Sequence, residues 1–296
     1  MSILKKGDTV GIIAPSSSFG DDADITPACD FLHNLGLKTV LAENIYSSHR
    51  YMAGTDEQRA AAVNSLISAP EIKALFCLRG GAGATRILEL LDFSKLQKNP
   101  KPIIGLSDST ALQNAAFTRA RNPSLTGFLP LYDMQNGKIN EFMAQELRSV
   151  LFAEQHNVLS GKCLSSGTTT GIIIGGCLSV FNLLCGTKYF PNLKGKILLL
   201  EDTGEKTYRI DLMLTQLKQQ ANFNQLRGII FGAFNNCKIQ DRQDGDINDC
   251  IADFTQGLNI PVITDFAYGH IPQRHIIPLG VKVKLISSPQ DCRLVW

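Results

Sequence analysis

The sequence predicts an α/β protein built on a mostly parallel sheet, and three observations predict it. Short apolar runs alternate with segments of helical spacing, the connections between them are brief, and the runs end in glycine, proline or serine. Thr9 to Ala14 (TVGIIA) is a buried strand, closed by Pro15 and a serine cluster. Ile25 to Leu35 has helical spacing, with Gly36 as its stop. Leu37 to Leu41 reads as a second strand. Thr55 to Ile67 is a helix with Thr55 as N-cap and acidic residues in its first turn. Ala74 to Leu78 is a third strand, running into Arg79-Gly80-Gly81-Ala82-Gly83 and then a helix, Ala84 to Leu91. Pro102 to Leu106 is a fourth, after which Ser107-Asp108-Ser109-Thr110 opens a helix through Thr118. Parallel sheets covered on both faces bind ligands outside the carboxyl ends of their strands. The Arg79–Gly83 loop and Ser107 both fall at such ends, so both are expected on one rim.

Residues 136–170 read as a connection, with an amphipathic helix near Asn140 to Leu151 and a polar stretch from Ser160 to Thr170. This gives an N-terminal domain over 1–135 and a C-terminal domain over 171–296. The second half resumes with a strand at Gly171, a helix-like segment, and Lys196 to Leu200 (KILLL), a strand ending at Glu201-Asp202. Ile210 to Leu217 is helical, while Gly228 to Phe231 and Ile260 to Ile263 are strands.

Composition narrows the function classes. Hydrophobic residues make up 44% and charged residues 19% of 296, which excludes intrinsic disorder. The formal net charge is +2 with 7% aromatics and no basic tract, so no nucleic-acid surface is expected. A small-molecule partner is. MSILKKGDTV lacks an apolar h-region, and Gly171–Gly186 is too short to span a bilayer. The eight cysteines form no CxxC pair, so the expectation is reduced thiols in the cytosol and no structural zinc.

Ser107 stands where a strand turns into a helix, a place that projects a hydroxyl outward beside unpaired N–H groups. Ser, Asp and Thr are also the preferred N-caps, and GLSDST lacks the second glycine of the G-x-S-x-G elbow, so spacing alone favours a cap. The Arg79–Gly83 loop can cradle an anion, yet its glycines miss dinucleotide spacing, and a tight turn is the simpler reading. Glu201 and Asp202 put carboxylates at the end of an apolar strand, where one can orient a histidine or cap the next element. Of the five histidines, His33 lies in an amphipathic helix and His49 and His156 in polar loops. His270 sits in a loop after glycine, with His275 as its competitor. The acidic run Asp241–Asp249 fails the EF-hand frame and reads as a solvated loop.

Six stretches, in this order, resemble the L,D-carboxypeptidases of bacterial cell-wall recycling and their relatives, the microcin-immunity peptidases. They are GDTVGIIAPSS, GTDEQRAA, LRGGAGATRILELLD, NPKPIIGLSDSTAL, GTKYFPNLKGKILLLEDTGEKTYRID and GHIPQRHIIPLG. The resemblance implies a doubly wound N-terminal domain, a smaller α/β C-terminal domain and a site between them. It further implies a serine peptidase with Ser107 as nucleophile, Glu201 as orienting carboxylate and His270 as base. It implies a cytoplasmic homodimer that needs no metal or other cofactor. With that mechanism, the oxyanion would take the N–H groups of Asp108 and Gly81. The expected reaction releases D-alanine from a murein tetrapeptide. Alternatives are a related peptidase acting on peptidyl-nucleotide antibiotics and a non-catalytic muropeptide-binding protein. Three departures from the family pattern bear on substrate preference: Ala82 where tyrosine is usual, Thr126-Gly127-Phe128-Leu129-Pro130 where His-Gly-Pro is common, and Cys177 where asparagine follows the glycine pair.

Overall fold

A computed structural model describes residues 3–20, 24–152, 156–239 and 245–296. The chain divides into two compact units, Met1–Glu154 with His275–Leu279, and Gln155–Arg274 with Gly280–Trp296.

Among the described residues, the first unit holds a six-stranded sheet of β1 (Thr9–Ile13), β2 (Lys38–Leu41), β3 (Ile72–Cys77), β4 (Ile103–Gly105), β5 (Ser124–Thr126) and β14 (Ile277–Leu279). The order β2-β1-β3-β4-β5 is parallel throughout, and β14 closes the edge antiparallel to β5. That order is the flavodoxin-like doubly wound one, with its switch point between β1 and β3. The central strands are buried because they are continuous apolar runs: Val10, Ile12, Ile13, Ala74, Leu75, Phe76, Ile103 and Ile104 are at most 2% exposed. Helices α1 (Thr26–Asn34), α2 (Asp56–Ser68), α3 (Ala84–Ile87), α4 (Phe93–Lys98) and α5 (Ser109–Ala120) fill the connections between these strands. Thr55 caps α2 in a capping box with Gln58, as expected of threonine followed three residues later by glutamine. The short α6 (Pro130–Asp133), the β6 (Met134–Gln135) and β7 (Lys138–Ile139) ribbon and α7 (Glu141–Phe152) complete the unit.

The second unit holds an eight-stranded mixed sheet among the described residues. Its strands are β8 (Asn157–Leu159), β9 (Lys162–Ser165), β10 (Gly167–Cys177), β11 (Lys196–Thr203), β12 (Gly228–Asn235), β13 (Val262–Thr264), β15 (Lys282–Ser288) and β16 (Asp291–Val295). The order is β8-β16-β15-β10-β11-β12-β13-β9, with β10 through β13 parallel and the flanking pairs antiparallel. Helices α8 (Leu178–Asn182), α9 (Thr207–Lys218) and α10 (Ile247–Thr255) belong to this unit.

The polar stretch Ser160–Thr170 is not a plain connection: it carries β9 and the first four residues of β10. Its alternation of exposed and half-buried positions shows no apolar run, and its ladder partners lie about a hundred residues away. The acidic run also differs from expectation. Asp241–Asp244 lie outside the described residues, while Asp246 accepts from the N–H groups of Asn248 and Asp249 and caps α10. Among the described residues no helix is long and apolar enough to cross a membrane.

Candidate active site

In the first unit, the loops after β1, β3 and β4 gather at the carboxyl ends beside the switch point. Ser107, the second residue after β4, adopts a left-handed backbone with φ +65°. A non-glycine residue there is strained, and such strain persists only where its surroundings enforce it. Among the described residues the Ser107 side chain makes no capping hydrogen bond. The helix N-cap is Asp108, helix α5 starts at Ser109, and the Ser109 hydroxyl bonds back to the Leu106 carbonyl at 2.7 Å. The Ser107 side chain is left half-buried among buried neighbours, its Cβ packed so close to Gly80 that a Cβ there would approach it to 2.8 Å.

The glycine loop is held against this serine. Gly81 has φ +109°, and a side chain on it would run into Ser17, at 2.5 Å from that Cβ. Ser17 Oγ accepts from the Ala82 N–H at 3.0 Å, and Arg79 Nη1 donates to the Ser18 carbonyl at 2.6 Å. Neither the Gly81 nor the Asp108 N–H donates to another described residue. The Asp108 carboxylate, 3% exposed, accepts from the Ala84 N–H at 2.8 Å, and burial raises its pKa above the usual aspartate value.

In the second unit Glu201 and His270 form a pair. Glu201 Oε2 lies 2.8 Å from His270 Nδ1 and also accepts from the His270 backbone N–H at 3.2 Å. Glu201 is fully buried and the His270 side chain is 11% exposed. The local fold explains the meeting. The β11–β12 register slips between Leu200 and Asp202, so that Leu200 faces Phe231 but Asp202 faces Phe234. The loop carrying His270 runs along β12, with Phe266 N–H on the Phe231 carbonyl and Ala233 N–H on the Tyr268 carbonyl. Asn235 Nδ2 then donates to the His270 carbonyl at 2.8 Å. Nothing in the sequence pointed to Asn235, whose partner is 35 residues away.

Gly269 makes the approach possible. Its φ is +117°, and a Cβ would lie 2.7 Å from Glu201 Oε2. Gly269→Ala is therefore expected to destabilise the protein by about 1–3 kcal/mol, read as a lowered denaturant midpoint. An unchanged midpoint would mean that this loop has room to spare.

The competing carboxylates are engaged elsewhere. Asp202 points across the strand from Glu201 and caps α8, accepting from the Ser179 N–H at 2.7 Å and the Thr203 N–H at 2.8 Å. Glu205 pairs with Arg209 at 2.7 Å. Burial pushes the Asp202 pKa up to about 6. Between the ordinary value and about 6 the native state thus holds a proton that the unfolded chain has released. Stability should fall as pH rises through that window, by at most about 3 kcal/mol from this group. Asp202→Asn is expected to flatten the slope of unfolding free energy between pH 4 and 6, measured in urea titrations.

His275 belongs to the first unit, 3.2 Å from Glu146 and in tilted ring contact with Phe142. His33 bonds Thr39, and His156 stacks on Trp296. Among the described residues no group of three His, Cys, Asp or Glu side chains is arranged to hold a metal. The site chemistry on hand is thus a serine hydroxyl beside two unengaged N–H groups on one unit, and a carboxylate–imidazole pair on the other.

Two family models cover most of the chain: the LD-carboxypeptidase N-terminal domain over residues 10–127 and the LD-carboxypeptidase C-terminal domain over 170–285. The chain belongs to the LD-carboxypeptidase family. The family and the carboxypeptidase names of its relatives make it a hydrolase of carboxypeptidase type. This LD-carboxypeptidase homologue is 32% identical to a Bacillus subtilis protein designated a probable murein peptide carboxypeptidase, over 96% of this chain and 91% of that one. It is 30% identical to the murein tetrapeptide carboxypeptidase of Pseudomonas aeruginosa, over 97% and 94%. The crystal structure of muramoyltetrapeptide carboxypeptidase from Oxalobacter formigenes matches it with a TM-score of 0.88 at 27% identity, covering 97% of this chain and 98% of that one.

Proposed function

We propose that the protein is a serine L,D-carboxypeptidase that removes the terminal D-alanine from a murein tetrapeptide during peptidoglycan recycling. The murein peptidase names of its relatives support the substrate. The observation that carries the serine mechanism is the left-handed, uncapped Ser107 with the unengaged Asp108 and Gly81 N–H groups beside it.

In this reading Ser107 Oγ attacks the carbonyl carbon of the diaminopimelate–D-alanine bond while its proton passes to His270 Nε2. Glu201 holds Nδ1 in the protonated tautomer and stabilises the imidazolium. The oxyanion takes the N–H groups of Asp108 and Gly81. The tetrahedral intermediate collapses, the C–N bond breaks, and His270 hands its proton to the departing D-alanine amine. Water, deprotonated by His270, then cleaves the acyl-enzyme ester and releases the tripeptide. The nucleophile belongs to the N-terminal domain, 1–135, and Glu201 and His270 to the C-terminal domain, 171–296. The enzyme works as a cytoplasmic homodimer without a metal.

The test is mass spectrometry of a murein tetrapeptide incubated with the enzyme, with light scattering for the dimer. Loss of one alanine, assayed as the D-isomer, is expected. Cleavage at another bond, hydrolysis of a peptidyl-nucleotide in its place, or tight binding without turnover would each overturn the reading.

A further inference from the structure

Helix α2 places an arginine on its inward face. Arg59 shares the apolar stripe with Val63, Leu66 and Ile67, and its side chain is fully buried. A buried guanidinium is costly unless its donors are met. Here Nη1 donates to the Pro15 carbonyl, in the loop after β1, and to the Gly83 carbonyl at 2.8 Å. Nη2 pairs with Asp56 at 2.5 Å and lies 3.2 Å from Met52 Sδ.

The Gly83 carbonyl and the Ala84 N–H are the two ends of one peptide group. Arg59 holds its oxygen at 2.8 Å, and Asp108, the residue after Ser107, holds its N–H at 2.8 Å. A peptide plane gripped at both ends cannot rotate without breaking two charge-assisted hydrogen bonds. The plane lies two residues beyond Gly81, in the loop whose Ala82 amide is tied to Ser17. We infer that Arg59 and Asp108 clamp the Gly83–Ala84 peptide and thereby set the direction of the Gly81 N–H relative to Ser107, making Arg59 a positioning residue for the oxyanion loop. This rests on the serine reading above. Arg59 touches no reacting atom; it acts through a loop that does. An apolar substitute leaves the Pro15 carbonyl without this donor and the Gly83 carbonyl with only the Arg86 backbone N–H at 3.1 Å, and a lysine carries one point charge where the fork serves two carbonyls and a carboxylate.

The experiment compares wild type, Arg59→Lys and Arg59→Ala in tetrapeptide hydrolysis, in the rate of Ser107 phosphonylation by a fluorophosphonate, and in thermal unfolding. Below the unfolding midpoint, Arg59→Ala is expected to lose about a hundredfold in kcat with KM changed little, as a misplaced catalytic group does. Phosphonylation should slow in parallel, and 10–20 mM guanidinium, roughly a tenth or less of what perturbs folding, should restore part of both rates. Arg59→Lys should fall between. If Arg59→Ala does not fold, Arg59→Lys decides: wild-type kcat and labelling in that variant overturn the clamp. So does a folded Arg59→Ala with wild-type rates, or one whose loss guanidinium leaves untouched. Wild-type protein that neither hydrolyses tetrapeptide nor takes the label overturns the serine reading instead, and the clamp with it.

Discussion

Ser107→Ala is expected to lower kcat for tetrapeptide hydrolysis by at least about a thousandfold, and His270→Ala by a similar factor. The double variant should lose little more than either alone, because nucleophile and base act as one unit. A fluorophosphonate should label wild type and fail to label Ser107→Ala, as seen by intact mass. Stability should move the other way. The left-handed φ of +65° strains any residue with a Cβ, so Ser107→Gly should be inactive yet unfold at the same or higher denaturant concentration, by up to about 1 kcal/mol. If Ser107→Ala keeps wild-type turnover, Ser107 is not the nucleophile.

That strain marks the limit of what could be read from residues alone. SDST is a good capping sequence, and nothing in it demands a positive φ. Its surroundings are tertiary: Gly80, 27 positions earlier, lies so close that a Cβ on it would approach the Ser107 Cβ to 2.8 Å. The parallel strands were legible because TVGII, ALFC and KILLL are continuous apolar runs, and such runs belong in sheets buried on both faces. The antiparallel strands β15 and β16 have no such run: KVKLISS and DCRLV alternate buried with exposed or half-buried positions, a period-two pattern that a criterion of continuous apolar runs does not pick up. Helix α10 was hidden behind an acidic run that read as loop, although Asp246 followed three residues later by Asp249 is a capping box. Arg59 did leave a signal: an arginine at position 59 on a stripe continued by 63, 66 and 67 breaks the apolar pattern where it should not. Asn235 left none, because its partner is a backbone carbonyl.

Glu201→Gln is expected to be nearly as damaging as loss of the serine, about a thousandfold to ten-thousandfold in kcat, although it removes no atom from the site. Glu201 Oε2 accepts two hydrogen bonds, from the His270 ring at 2.8 Å and from its backbone N–H at 3.2 Å, and Oε1 is buried without a hydrogen-bond partner among the described residues. A glutamine can present its oxygen to the ring, which keeps the geometry but removes the charge that stabilises the imidazolium. If it presents its NH2 group instead, Nδ1 must become the acceptor and the proton moves to Nε2, the nitrogen that should accept from Ser107. Either orientation disables the base. Asp202→Asn should cost far less in kcat, because that carboxylate caps α8 and bonds Ser179 and Thr203, not the imidazole. Glu205→Gln should be close to neutral, since it loses only a partly exposed pair with Arg209. The three variants, assayed side by side for D-alanine release under saturating tetrapeptide, rank the acids. A larger loss in Asp202→Asn than in Glu201→Gln would mean that the carboxylate bonded to His270 is not the one the chemistry uses.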